Sequence, residues 1–238
     1  MVAPLSAGLL AAAAEVAAVG AAAEPGASPL IPLWADLAAV AVSALAGGLV
    51  AARERYDLNG VLFVAIATGL GGGIIRDLLI AQGPPLAMVS LWYLPTAGAA
   101  GLLVFFLSTP IHSLTTRARP VVFTLETVAL ALYTVLGAGK GLEAGLPLVS
   151  CVLLGVITGV GGGILRDLLL NRRPTVLQPG TLEAGAALIA AIAQVVADIW
   201  LPAFIAAIIG LAVAVLARAM SVLLRWQTPP AAVARRPE

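Results

Sequence analysis

The stretch Thr68-Gly-Leu-Gly-Gly-Gly-Ile-Ile-Arg-Asp-Leu-Leu79 recurs ninety residues later as Thr158-Gly-Val-Gly-Gly-Gly-Ile-Leu-Arg-Asp-Leu-Leu169, changed only at Leu70/Val160 and Ile75/Leu165. Both copies lie late in long apolar runs. Each glycine costs roughly 1 kcal/mol in a helix interior, and an ionisable side chain at membrane depth costs a few kcal/mol more. A chain that accepts both costs twice is constrained to use the segment twice, in two related places.

The apolar runs settle the class. The chain is 61% hydrophobic and 11% charged, with a mean hydropathy of +1.06, whereas soluble domains carry about a quarter charged residues. It reads as an all-α integral membrane protein of about seven spans, each near the roughly 20 residues that cross a bilayer. A net charge of +1 gives no footing for nucleic acid. With Cys151 the only cysteine and His112 the only histidine, an intrachain disulfide is excluded and a zinc site has too few ligands. No Ser-His-Asp set, metal constellation or paired-carboxylate site is present, so the chain is not expected to be an enzyme or to need a cofactor.

In chain order, residues 1–29 form an alanine-rich extension broken by Glu15. It reads either as an ordinary extension or as a signal peptide or extra span, although no basic residue precedes Arg53. The main domain, residues 30–224, then carries spans at about 31–52, 58–81, 87–108, 120–139, 146–170, 180–199 and 201–223. The polar tail 225–238, with Pro229-Pro230 and Arg235-Arg236, reads as a disordered cytoplasmic end. Arg53, Arg55, Arg117, Arg119, Arg172, Arg173, Arg218, Arg225, Arg235 and Arg236 fall on one side of this arrangement, and Lys140 alone on the other. That bias places the amino terminus outside and the carboxyl terminus in the cytoplasm.

The repeat reaches beyond the motif. At the same offset Asp36 matches Glu126, Gly47 matches Gly137 and Pro84 matches Pro174. Repeat one (about 30–110) and repeat two (about 119–200) thus hold three spans each, and the seventh (about 201–224) is left over. Three is odd, so the second repeat enters the membrane from the opposite side: a 3+3 inverted repeat plus one, an architecture of transport proteins that bind substrate near the midplane on broken helices.

Three consecutive glycines weaken a helix and expose carbonyls, tolerated only against protein or a watery cavity. Gly71, Gly72, Gly73 and Gly161, Gly162, Gly163 are therefore expected to break spans two and five and to line a pore. The hydroxyls of Thr68 and Thr158 would add oxygen ligands of the kind a monovalent cation accepts in place of water. The competing reading is close packing, since Gly69/Gly73 and Gly159/Gly163 are small-xxx-small pairs. A dinucleotide fingerprint fails because position 74 is Ile and no strand precedes it. Arg76-Asp77 and Arg166-Asp167 either line two vestibules or serve structurally, each Arg pairing away from its neighbour, because adjacent helical residues do not face each other. Asp36 and Glu183 read as solvated acids near the interfaces, Glu126 as a deeper one. Lys140 reads as a cation at a helix carboxyl end.

Taken together, seven spans, inverted repeats and Gly-x-Gly-Gly-Gly-x-x-Arg-Asp in spans two and five resemble the prokaryotic branch of the trimeric intracellular cation channel family. Bacterial members have also been described as carrying a glycine transporter domain. The resemblance covers about residues 30–224. It implies a homotrimer in a bacterial or archaeal plasma membrane, with one pore per protomer, permeable to K+ and also to Na+, and with partners limited to its own copies and membrane lipids. It further implies that the glycine clusters bend spans two and five around the pore, and it attaches a gating role to Lys140, with Glu126 the buried acid of the same helix. Two departures stand out. Lys140 ends span four rather than lying within it, and Arg76 is the only basic residue in span two, unlike the phosphoinositide-binding animal members. A small amino acid carrier on the same fold is the alternative, and a non-transporting scaffold a further one.

Overall fold

The structure, a computed structural model, describes residues 32–108, 119–178 and 182–224. The alanine-rich start, His112, Arg117 and the tail from Arg225 lie outside the described residues, and with them the readings made there. Among the described residues there are eight α-helices. These are α1 (Leu33–Arg53), α2 (Leu58–Ile80), α3 (Leu86–Val89), α4 (Tyr93–Ser108), α5 (Arg119–Glu143), α6 (Leu148–Leu169), α7 (Glu183–Asp198) and α8 (Ala203–Leu223).

Local chemistry sets the boundaries. Pro32, Pro85, Pro147 and Pro202 each stand immediately before a helix, where a missing N–H costs nothing. Asp57 caps α2 by accepting the Gly60 N–H at 2.8 Å. That helix ends at Ala81, left-handed at φ 57°, and Pro84-Pro85 prevents its resumption. Helices α1, α2, α5, α6 and α8 are long and apolar enough to cross a membrane, while α4 and α7 are 16 residues each. Both short helices are shorter than the expected spans for one reason. A proline-bearing loop precedes each and spends residues on a single turn, α3 in the first repeat and a 3-10 turn at Thr175–Leu177 in the second. Phe63, Phe106, Val149, Leu153, Phe204 and Leu216 point outward and exposed, as lipid-facing residues do and residues facing water do not at this density.

The expected break in spans two and five does not occur. Both α2 and α6 run as uninterrupted α-helix through their glycines. The reason is packing at the place where α2 crosses α6. A Cβ on Gly72 would stand 2.6 Å from the Thr158 carbonyl oxygen, and one on Gly162 would stand 2.5 Å from that of Thr68. Only glycine permits so close an approach, and the contact offsets glycine's intrinsic cost without unwinding the helix.

Contacts repeat across the two halves. Helix α1 packs on α2 as α5 packs on α6, α4 on α1 and α2 as α7 on α5 and α6, and α1 meets α5. A Cβ on Gly47 would lie 2.6 Å from Thr68 Cβ, and one on Gly137 2.7 Å from Thr158 Cβ. Helix α8 lies on α7 and α5 outside this scheme.

Candidate functional site

Two buried charge clusters are built from the same plan. In the first, Asp36 in the first turn of α1 accepts from Arg76 Nη1 at 2.9 Å. Arg76 Nε turns back to Asp77 Oδ1 at 2.8 Å, and Asp77 Oδ2 accepts the Leu86 N–H of α3 at 2.9 Å. In the second, Glu126 of α5 accepts from Arg166 Nη1. Arg166 Nε donates to Asp167 Oδ1 at 2.9 Å, and Asp167 Oδ2 accepts the Thr175 N–H at 2.8 Å. Thus the repeated Asp clamps the turn that follows its helix, while the repeated Arg ties that helix to the acid of the first helix in its own half.

Four expectations are corrected here. Arg76 and Arg166 pair with their sequence neighbours as well as with distant acids, because a guanidinium is long enough to fold back along its own helix and carries five donors. Asp36 is buried at 4% exposure rather than solvated, for it serves Arg76, Lys140 Nζ at 2.9 Å and the Tyr93 hydroxyl at 3.0 Å. Glu183 is likewise partnered, accepting from Arg218 at 3.2 Å and from the Thr175 hydroxyl at 3.2 Å. Arg218, counted from sequence among the loop charges, lies buried inside α8 with its guanidinium 5.0 Å from the centre of the Phe123 ring. Lys140 sits in the last turn of α5, which runs on to Glu143. It is there to neutralise Asp36 as well as to meet the helix dipole.

The clusters lie far apart. Lys140 and Glu126 are 140 − 126 = 14 residues apart on α5, about 21 Å at 1.5 Å per residue. Three separate voids lie in the space between. A mouth of about 390 Å³ opens beside Asp77, Lys140 and Glu143. A small void below it is lined by Asp36, Gly73, Arg76, Tyr93 and Tyr133. Across Tyr133 lies another, of about 40 Å³, lined by Ser43, Thr68, Gly162, Gly163, Arg166 and Arg218 among others. The first two share Asp77 and the last two share Tyr133.

The glycines divide by position. Gly69 and Gly159 pack on α1 and α5, where a Cβ would meet the Val40 carbonyl at 3.1 Å and the Leu130 carbonyl at 3.3 Å. Gly71, Gly72, Gly161 and Gly162 meet the opposite crossing helix. Gly163 has nothing within 4 Å of the place its Cβ would take, and Gly73 nothing nearer than 3.8 Å. The third glycine of each cluster is therefore the one with room for a Cβ. Thr68 Oγ1 donates to the Val64 carbonyl and Thr158 Oγ1 to the Leu154 carbonyl, both at 2.6 Å. Donating its hydrogen leaves each threonine hydroxyl with oxygen lone pairs able to accept, and Thr68 borders the void on the Arg166 side. Ser43, Tyr93 and Tyr133 were not singled out from sequence. The ninety-residue offset pairs Ser43 with Tyr133 and Tyr93 with Glu183, the first residues of α4 and α7, and could have found all three.

Comparison with known proteins agrees with this plan. A family model described as "Glycine transporter" matches the chain twice, over residues 33–109 and 123–199. The UPF0126 inner membrane protein YadS of Escherichia coli K12 is 33% identical over 199 residues, 83% of this chain and 93% of that protein. A UPF0126 membrane protein of Deinococcus radiodurans is 38% identical over 144 residues, 60% of this chain and 65% of its own length. The solved trimeric intracellular cation channel orthologue from Rhodobacter sphaeroides superposes with a TM-score of 0.75 at 32% identity, covering 81% of this chain and 97% of that one. The relatives are bacterial membrane proteins, and this chain is a multi-pass membrane protein of the same kind. By its duplicated family match, its relatives and its fold, the chain belongs to the prokaryotic branch of the trimeric intracellular cation channel family.

Proposed function

We propose that the protein is a homotrimeric cation channel in which each protomer carries its own pore, with K+ as the permeant ion and Na+ also admitted. The observation that carries this reading is the row of voids bordered by charged side chains, from the Lys140 mouth, past Tyr133, to the Arg166 cluster. A protein held together only by close-packed glycines has no use for such a row. Its fold neighbour is a cation channel. The pairing of Gly72 with the Thr158 carbonyl and of Gly162 with that of Thr68 supports two halves related by a pseudo-two-fold axis, hence seven spans arranged as an inverted repeat plus α8. Arg53, Arg55, Arg172 and Arg173 at loop ends support a cytoplasmic face there, with the amino terminus outside.

A second reading, a small amino acid carrier, is favoured by one feature: the mouth beside Lys140 and Glu143 offers a cation and a carboxylate at a volume that accommodates glycine. Liposomes carrying the purified protein separate the two. The channel reading expects K+ flux that is linear in K+ and indifferent to glycine. Saturable glycine uptake with no K+ flux would replace it with the carrier.

A further inference from the structure

The two halves match closely enough that a mismatch between them is informative. Ser43 on α1 and Tyr133 on α5 occupy corresponding positions, 133 − 43 = 90 residues apart. Both are buried and both donate to carbonyls of α2. Ser43 Oγ reaches the Thr68 carbonyl at 3.1 Å, and the Tyr133 hydroxyl reaches that of Gly69. The serine is small and borders the void on the Arg166 side. The phenol is large, 3% exposed, and stands where two voids would otherwise meet. Among the described residues it alone lines both the void that holds Arg76 and the void that holds Arg166. Gly73 faces it without a side chain: a Cβ there would make ordinary contact with the Tyr133 ring at 4.0 Å and with Arg76 at 3.8 Å.

Resting on the channel reading, we infer that Tyr133 is the barrier between the two vestibules, held shut by its hydrogen bond to the Gly69 carbonyl. Opening breaks that bond and turns the ring away from the Gly69 carbonyl. Such a bond is well suited to a latch: buried, it holds one ring position, and its net worth is on the order of 1 kcal/mol, so exchange between positions remains accessible. The tyrosine breaks a symmetry that would otherwise leave a serine-lined passage on both sides of the crossing. A tyrosine that merely fills the core would instead cost stability when replaced and leave access unchanged.

Thiol access tests this without relying on conduction. In a Cys151→Ser background the reporter Gly163→Cys places a thiol in the Arg166-side void, where a Cβ meets nothing within 4 Å. A small cationic methanethiosulfonate is applied to each membrane face in turn. With Tyr133 present, labelling is expected from one face only. With Tyr133→Ser it is expected from both, and K+ flux into liposomes should rise about tenfold, the factor corresponding to each 1.36 kcal/mol removed from a barrier. Tyr133→Phe, which keeps the ring and loses the latch, should fall between. One-face labelling at the wild-type rate in folded Tyr133→Ser, with wild-type flux unchanged, would overturn the barrier and leave the channel standing. Two-face labelling with no K+ flux in any variant would uphold the barrier and sink the channel reading. Should the serine variant fail to fold, labelling and flux in Tyr133→Phe identical to wild type would overturn the latch.

Discussion

The Arg76 cluster and the Arg166 cluster are the same device with different additions. Each has an acid on the first helix of its half, an Arg-Asp pair at the end of the next, and an N–H from the following turn. The additions differ. Around Asp36 stand Lys140 and Tyr93, brought by the other half and by α4. Beside Glu126 stands a second acid, Glu183, tied to Arg218 of the unrepeated α8. On the channel reading proposed above, what is duplicated holds the helices in place, and what is not duplicated distinguishes the two ends of the proposed pore. That reading gives Arg76 and Arg166 a structural role, and it gives Lys140, Arg218 and Tyr133 a role in conduction.

The sharpest way to break the comparison is to remove a duplicated arginine. Arg76→Ala leaves Asp36 and Asp77 with too few partners, and Arg166→Ala does the same to Glu126 and Asp167. Breaking a buried pair from one side costs about 3–5 kcal/mol. Folded yield on size exclusion and thermal stability in detergent should collapse for both variants to a similar degree. Normal yield with altered conductance would move the arginines to the functional side of the division.

Glycine substitutions come next. Gly72→Ala and Gly162→Ala drive a methyl into a backbone carbonyl that cannot rotate away, an overpacking cost of about 1–3 kcal/mol visible as a lower Tm. Gly163→Ala meets nothing within 4 Å and gains helix propensity of about 1 kcal/mol. Its Tm should hold or rise while unitary conductance falls, because the methyl projects into the void. Equal destabilisation at 162 and 163 would contradict the assignment of one to packing and the other to the cavity.

Smaller effects are expected where the halves differ. Lys140→Met leaves Asp36 with Arg76 and Tyr93, so it should raise cation conductance from its own side with modest change in Tm. Unitary current amplitude in symmetric KCl reads this. The least effect is expected at Thr158→Val, whose hydroxyl bonds only within its own helix: at most about 1 kcal/mol of stability, with selectivity unchanged. A shift in K+/Na+ selectivity there would restore the threonines as ion ligands.

Much of this was legible in the sequence. Hydropathy located the helices, and the ninety-residue offset paired Asp36 with Glu126 and both arginines before any contact was known. The misreadings share one physical cause. A glycine triplet reads identically whether it loosens a helix or lets two helices touch, and only the carbonyl of a distant threonine decides which. Asp36 and Glu183 looked interfacial because they stand near helix ends, but their partners Lys140 and Arg218 come from helices more than thirty residues away. Arg218 counts among the charges of one side even though span seven, about 201–223, contains it, because its buried partner Glu183 lies on another helix. Tyr133 passed as one more aromatic in an apolar run, since its importance lies in what its counterpart Ser43 lacks.

Single-channel recording of the purified wild-type protein in planar bilayers under a KCl gradient tests the central claim most directly. Discrete current steps reversing close to the K+ equilibrium potential, and unaltered by added glycine, are the predicted result. A silent bilayer from folded protein that takes up glycine saturably into liposomes would contradict it.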